Sequence, residues 1–275
     1  MVKVGNVYDL NGNIVEKVEL PEHFDEEIRK DIILKVIYAI HSNARQPYGT
    51  YENAGMEASA WTSKRRRSYR TSYGYGISRV PRSVFARISW GFIWVARVVP
   101  QAVKGRRAHP PKPEKVWEVK INKKEKRKAI RSAIAATSVP EIVLSRYTKS
   151  RKFLEKTINT FGLPLIIDGL ENIKKTKELI DTLEKFQLGE FIEYVRETRR
   201  NRAGKGKRRG RRVVKARGLL IVAPVGSDLP KLSTDGVEIV NVDKLNVDVL
   251  APGGKPGRFT IWTKKAIEDL RNLFI

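Results

Sequence analysis

The sequence predicts an α/β fold: a mostly parallel sheet covered on both faces by helices, with one long extended insertion. Three observations lead there. Apolar runs of strand length alternate with stretches of helical periodicity through the second half of the chain, the pattern of parallel strands joined by helical crossovers. Residues 43–112 interrupt that pattern with no sustained period and a composition rich in Gly, Pro, Ser, Arg and aromatics. The net charge of +25 is concentrated in two segments rather than spread along the chain. The expected organisation is a globular body from 1–42 and 113–275, an extended basic loop at 43–112, and a basic strip at 199–217 within the body.

The elements follow in order. Val2, Val4 and Val7, the turn residues Asp9 to Asn13, and Ile14, Val15 and Val18 predict a hairpin, with Asn11-Gly12 supplying its tight turn. From Asp25 to about Ser42, Ile28, Ile32, Ile33, Val36, Ile37 and Ile40 recur at helical spacing. Beyond the insertion, Asn122 with Glu125 three residues on forms a capping-box pattern for a helix through Ala129, Ile130, Ala133 and Ile134. Glu141 to Leu144 and Pro164 to Ile167 are expected as buried strands, and Lys174 to Tyr194 as helix. Leu219 to Ala223, Val237 to Val242 and Phe259 to Trp262 are expected as further strands, the last leading into a helix from Thr263.

The charge defines the partner class. The chain has 55 Lys and Arg against 30 Asp and Glu, so a polyanion is the natural ligand. Between Asn43 and Lys112 stand 14 basic residues and two acids, and between Arg199 and Arg217 stand 11 basic residues and no acid. The rest is close to neutral. The insertion also carries 10 of the 23 aromatic residues, unlike ordinary disordered linkers. Cations neutralise phosphates while aromatic rings stack on unpaired bases, so the combination suits RNA. The candidate RNA-binding cations in the insertion are Arg45, Lys64, Arg65, Arg66, Arg67, Arg70, Arg79, Arg82, Arg87, Arg97, Lys104, Arg106 and Arg107. In the strip they are Arg199, Arg200, Arg202, Lys205, Lys207, Arg208, Arg209, Arg211 and Arg212. Trp61, Tyr69, Tyr73, Tyr75, Trp90 and Trp94 are the candidate stacking rings. Ordering some 70 residues costs roughly 1 to 2 kcal/mol each in backbone entropy. A partner surface is expected to offset that.

Other function classes find little support. There is no cysteine, which removes disulfides and thiolate chemistry. His23, His41 and His109 are scattered, so no metal site is expected. Gly204-Lys205 and Gly206-Lys207 lack the flanking residues of a phosphate loop. Asp168 stands after the apolar run 165–167, where α/β enzymes place catalytic acids, but Gly169 beside it favours a turn or cap. The N-terminal residues carry no signal-peptide pattern, and the longest nearly apolar run, Ile88 to Ala96, is too short to span a bilayer. A soluble cytoplasmic protein is expected, with no enzymatic activity, cofactor, membrane partner or small-molecule substrate.

Several motifs in order carry a resemblance: Arg45-Gln46-Pro47, Arg79-Val80-Pro81-Arg82, Gly105 to Lys112 (GRRAHPPK), Asn122 to Thr137, Arg202 to Arg212 (RAGKGKRRGRR) and Leu250 to Thr263 (LAPGGKPGRFTIWT). The chain resembles an archaeal member of the L-four family, the fourth protein of the large ribosomal subunit, over nearly its whole length. The resemblance implies a three-layer α/β/α domain, and a loop at 43–112 threaded through large-subunit ribosomal RNA with its tip in the wall of the polypeptide exit tunnel. Carried over by position, Tyr73 to Trp90 lie nearest the tip, and Tyr73, Gly74, Tyr75, Gly76, Ile77, Ser78 and Arg79 are the tip candidates. The implied partners are ribosomal RNA, neighbouring large-subunit proteins and the nascent polypeptide, and the implied role includes early binding in subunit assembly. An alternative is a translational repressor acting on its own messenger, as some bacterial members do. The sequence departs from the family pattern at Ser72 to Ser78, where Tyr75 and Ile77 stand in a stretch otherwise expected to be longer and rich in Gly and Arg.

Overall fold

The computed structural model describes residues 4–227, 229–230 and 236–274. They fall into two compact units, Met1–Asn43 with Val119–Ile275, and Ala44–Glu118. Val2, expected in the first strand, lies outside the described residues.

In the first unit, β1 (Val4–Tyr8) and β2 (Ile14–Glu19) pair antiparallel across a turn in which Gly12 takes φ +87° and donates its amide to Asp9 O at 3.0 Å. Helix α1 (Lys30–Asn43) begins five residues later than the apolar spacing from Asp25 suggests. The amide of Arg29 donates to Ser132 Oγ at 2.7 Å, so the preceding backbone is tied to a neighbouring helix instead of entering α1. Strands β3 (Arg82–Ile88) and β4 (Gly91–Ala96) belong to the second unit. Helix α2 (Lys123–Ala135) buries Ala129, Ile130, Ala133 and Ile134 as expected, but the capping box does not form. Asn122 makes no side-chain cap, and the Glu125 carboxylate accepts from Lys35 Nζ at 2.7 Å.

The expected strand at Glu141 to Leu144 is instead α3 (Pro140–Arg146). A four-residue apolar run cannot separate strand from helix by period, and Pro140 at the first helical position presets the helical φ. Helix α4 (Arg151–Phe161), which none of the expected elements covers, buries Leu154, Thr157 and Ile158 at helical spacing. After β5 (Leu165–Ile167), the single helix expected over Lys174 to Tyr194 is two, α5 (Thr176–Lys185) and α6 (Gly189–Glu197). Between them Gln187 adopts φ +60° while Phe186 and Leu188 are fully buried, so the break turns two apolar side chains into the core. The short strands β6 (Arg200–Asn201) and β7 (Val213–Val214) precede β8 (Leu220–Ala223), β9 (Glu238–Asn241), α7 (Val247–Leu250) and β10 (Thr260–Thr263). The closing helix α8 (Lys264–Leu270) is capped by Thr263 Oγ1, which accepts from the Ala266 amide at 3.2 Å.

Six strands make one sheet in the order β2-β1-β5-β10-β8-β9, parallel except for the β1-β2 hairpin. Alternation along the central strands sorts the core into two layers. Leu165, Ile167, Ile221, Ala223 and Ile261 pack with residues of α3 to α6. Ile166, Leu220, Val222 and Trp262 pack with α1, α2, α7 and α8. The result is a helix, sheet, helix sandwich. Where α1 ends and the chain later re-enters this unit, Asn43 and Val119 exchange two hydrogen bonds, Val119 N to Asn43 Oδ1 at 2.8 Å and Asn43 Nδ2 to Val119 O at 3.3 Å.

Candidate nucleic-acid interface

The basic strip between α6 and β8 is an ordered excursion. Arg200 and Asn201 pair with Val214 and Val213, and Lys205 to Arg209 wind one 3-10 helix between Gly204 and Gly210. Three bonds within the strip hold its shape: Arg202 N to Arg212 O at 2.7 Å, Arg202 Nε to Arg211 O at 3.0 Å, and Arg211 N to Gly206 O at 3.2 Å. Arg199, Arg200, Arg202, Lys205, Lys207, Arg208, Arg209, Arg211 and Arg212 are all exposed. Dense like charge repels itself unless counter-charge lies between, so the ordered backbone holds the cations where an anion would be favoured. Glu238 approaches only the end of the strip, pairing with Arg217 at 3.0 Å.

The second unit carries local structure where an extended loop is expected. Strands β3 and β4 pair antiparallel with a register shift at Phe85. Near the termini of this unit, Trp117 has the Arg45 guanidinium and Lys115 Nζ each 4.3 Å from its ring centroid, with Tyr48 stacked at 6.0 Å. Further along, Thr50 N donates to Pro111 O at 3.1 Å and Arg106 N to Val98 O at 3.0 Å. Gly55, at φ +82°, lies so close to the other limb that an added Cβ would sit 2.6 Å from Arg106 Cα.

Arg82 organises the middle of the unit. Its backbone bridges to Trp61, and its guanidinium donates to Ser78 O at 2.7 Å and Ser78 Oγ at 2.8 Å while lying 5.2 Å from the Trp94 ring centroid. Arg70 donates from Nη2 to Arg82 O at 2.7 Å and sits over Trp61 at 4.6 Å. These two arginines, with Trp61 and Trp94, are thus engaged inside the unit. By contrast Lys64, Arg65, Arg66, Arg67, Arg87, Lys104 and Arg107 are exposed, Arg97 and Arg106 are half-buried, and Arg79 is exposed with its guanidinium 4.3 Å over Tyr73.

Of the expected stacking rings, Trp61, Tyr69, Tyr75 and Trp90 are exposed, Trp90 by 87% at the end of the hairpin, and Tyr73 and Trp94 are half-buried. Gly74 and Gly76, both at positive φ, turn the chain between Tyr73 and Ile77. Tyr48, Phe92, Lys115 and Trp117 join these ring and cation contacts without having been expected there; for the last two, beyond residue 112, the local signal is a cation two residues from an indole.

Asp168 behaves as a turn residue: its Oδ1 accepts from the Gly169 amide at 2.9 Å, and its own amide donates to Tyr8 O at 2.8 Å. Among the described residues, no group of His, Asp and Glu is arranged to hold a metal ion. Among them, too, no helix is long and apolar enough to cross a membrane.

Residues 18–273 match the model of the Ribosomal protein L4/L1 family. A large ribosomal subunit protein uL4 of Nanoarchaeum equitans is 49% identical over 268 residues, covering 96% of both chains. Those of Archaeoglobus fulgidus and Methanococcoides burtonii are each 42% identical, covering 96% and 98% of both chains respectively. A match across almost every element, at such identity and in full-length register, establishes descent: the chain belongs to the Ribosomal protein L4/L1 family.

Proposed function

We propose that the chain is a structural constituent of the large ribosomal subunit in the cytoplasm, and that it binds ribosomal RNA through the second unit and the basic strip. The observation that carries the reading is the exposure of cations in both places, against a first unit whose charge outside the strip is nearly balanced. Phosphate neutralisation supplies the affinity, and the shape of folded RNA supplies the specificity. The relatives are named as proteins of that subunit. By the same reading, Tyr73 to Arg79 lie at a tip that lines the exit tunnel and meets the nascent polypeptide, and other large-subunit proteins lie alongside. By the same reading, a unit enclosed by RNA has to be present as the RNA folds around it, so binding comes early in assembly.

The test is ultraviolet cross-linking in intact particles, followed by mapping of peptide–RNA conjugates. Conjugates are expected from peptides within 43–112 and within 199–217. If conjugates came only from the first unit outside the strip, the assignment of the interface would fail.

A further inference from the structure

Within the second unit, Tyr69, Arg70, Tyr75, Ile77, Phe92 and Trp94 line a cleft of about 520 Å³. The aromatic rings meet at steep angles: Trp61 to Tyr69 at 58°, Tyr69 to Phe92 at 66° and Phe92 to Trp94 at 87°. None is stacked face to face on another, and although Arg70 lies over Trp61 and Arg82 over one face of Trp94, Phe92 and Trp94 still line the cleft and offer π surface to an incoming planar group. Arg70 adds a polar requirement, because its Nε–H is buried without an acceptor among the described residues. A buried donor left unpaired is costly, and a small turn of the Arg70 side chain, which lines the cleft, would present it to a ligand's acceptor.

The loop that supplies Tyr69 and Arg70 is itself strained. Arg67 and Arg70 adopt φ +53° and +56°, a region that residues with a Cβ enter at a cost, and Ser63 N donates to Arg70 O at 3.0 Å to close the loop. Closure presents Lys64, Arg65, Arg66 and Arg67, all exposed, within a few residues of the cleft. No acidic side chain lines it. An apolar peptide side chain would fill the space but leave the Arg70 donor unpaired and the four cations uncompensated. A nucleobase is planar, carries ring and carbonyl acceptors, and brings a phosphate on either side.

We propose that this cleft receives one unpaired nucleobase extruded from its RNA stack, seated against Phe92 and Trp94, accepting from Arg70 Nε–H, with its flanking phosphates on Lys64 to Arg67. The proposal rests on the RNA-binding reading above and adds a site at which a single base is inserted.

The full chain is titrated with three RNA hairpins: one with a single bulged adenosine replaced by a fluorescent adenine analogue, one with an abasic bulge, and one fully paired. The bulged base is expected to be quenched on binding, and its hairpin to bind about tenfold tighter than the abasic one, the scale of one base–aromatic stack. Tyr75→Leu alters an exposed side chain, and Arg70→Lys keeps the charge while removing the Nε donor. Both are expected to erase the preference for the bulged base and leave the salt dependence of binding unchanged. Equal affinity for bulged and abasic hairpins, or a preference that survives both substitutions, would overturn the proposal. Saturable binding of acetylated phenylalanine amide with no base preference would assign the cleft to a peptide side chain instead. If none of the three hairpins bound in a salt-dependent way, the RNA-binding reading itself would fall.

Discussion

Arg258 is 1% exposed, and every part of its guanidinium is used. Nε donates to Gly218 O at 3.0 Å, Nη1 to Val249 O at 2.9 Å and to Glu238 Oε2 at 2.8 Å, and Nη2 to Leu219 O at 3.3 Å. Tyr147, whose phenol burial pushes upward so that it stays protonated, donates to the same Gly218 O at 3.3 Å. One buried cation therefore ties β8, β9 and the end of α7 to the approach of β10. Removing it takes a charged donor from three carbonyls and a half-buried carboxylate, and although Gly218 O keeps Tyr147, Leu219 O the Glu238 amide and Glu238 its bond to Arg217, the space left is closed to water, so Arg258→Ala is expected to lower the unfolding free energy by about 3 kcal/mol in urea titrations of the full chain. Arg258→Lys keeps the charge but not the fork, and is expected to fall between the two. A loss under about 1 kcal/mol for the alanine variant would mean that water satisfies these carbonyls. Nothing in the local sequence separates this arginine from the exposed cations, because burial is a property of the folded neighbourhood. Arg82 makes the same point in the second unit, where a residue chosen for its charge turns its guanidinium onto Ser78.

Elements with strong local grammar were readable. The β1-β2 turn, α1, the apolar face of α2 and the four parallel strands β5, β8, β9 and β10 all stand close to where spacing and turn chemistry put them. What failed was ambiguous at the same level. The β3-β4 hairpin hides its period of two, because Phe85, Ile93 and Val95 make the second face apolar as well and the shift at Phe85 breaks the alternation. Its turn at Ser89-Trp90 also lacks the Asn-Gly signature that marked the first hairpin. Gly55 belongs to this scale, since its role is the approach of two limbs of the second unit. Gly55→Ala adds a Cβ 2.6 Å from backbone at a φ of +82°, and is expected to push those limbs apart. Amide hydrogen exchange should then quicken at Thr50, whose bond to Pro111 crosses between limbs, and at Arg106, whose backbone the new Cβ would displace from Val98 O, while β5 and β10 in the first unit keep their protection. Unchanged exchange at Thr50 and Arg106 would show that the limbs hold without this contact.

For the whole molecule, the decisive property is the uneven placement of a net charge of +25. The strip between Arg199 and Arg217 keeps its cations on a hydrogen-bonded scaffold, whereas Lys152, Lys174 and Lys177 are exposed on a body of balanced composition. Each phosphate neutralised releases counterions, so the slope of log affinity against log salt counts contacts, at about 0.9 per phosphate on a duplex and about 0.7 on a single strand. Replacing Arg208, Arg209, Arg211 and Arg212 together by Gln is expected to reduce that slope by about 3 for a structured fragment of large-subunit RNA, if each meets one phosphate. Because these side chains are exposed, the urea midpoint should stay where it is. Replacing Lys152, Lys174 and Lys177 by Gln removes nearly as much charge and is expected to leave the slope almost unaltered. The comparison separates two pictures that net charge alone cannot. If both variants reduced the slope in proportion to the charge removed, the protein would bind RNA as a diffuse polycation, and the strip would have no more claim on phosphate than any other cationic surface of the chain.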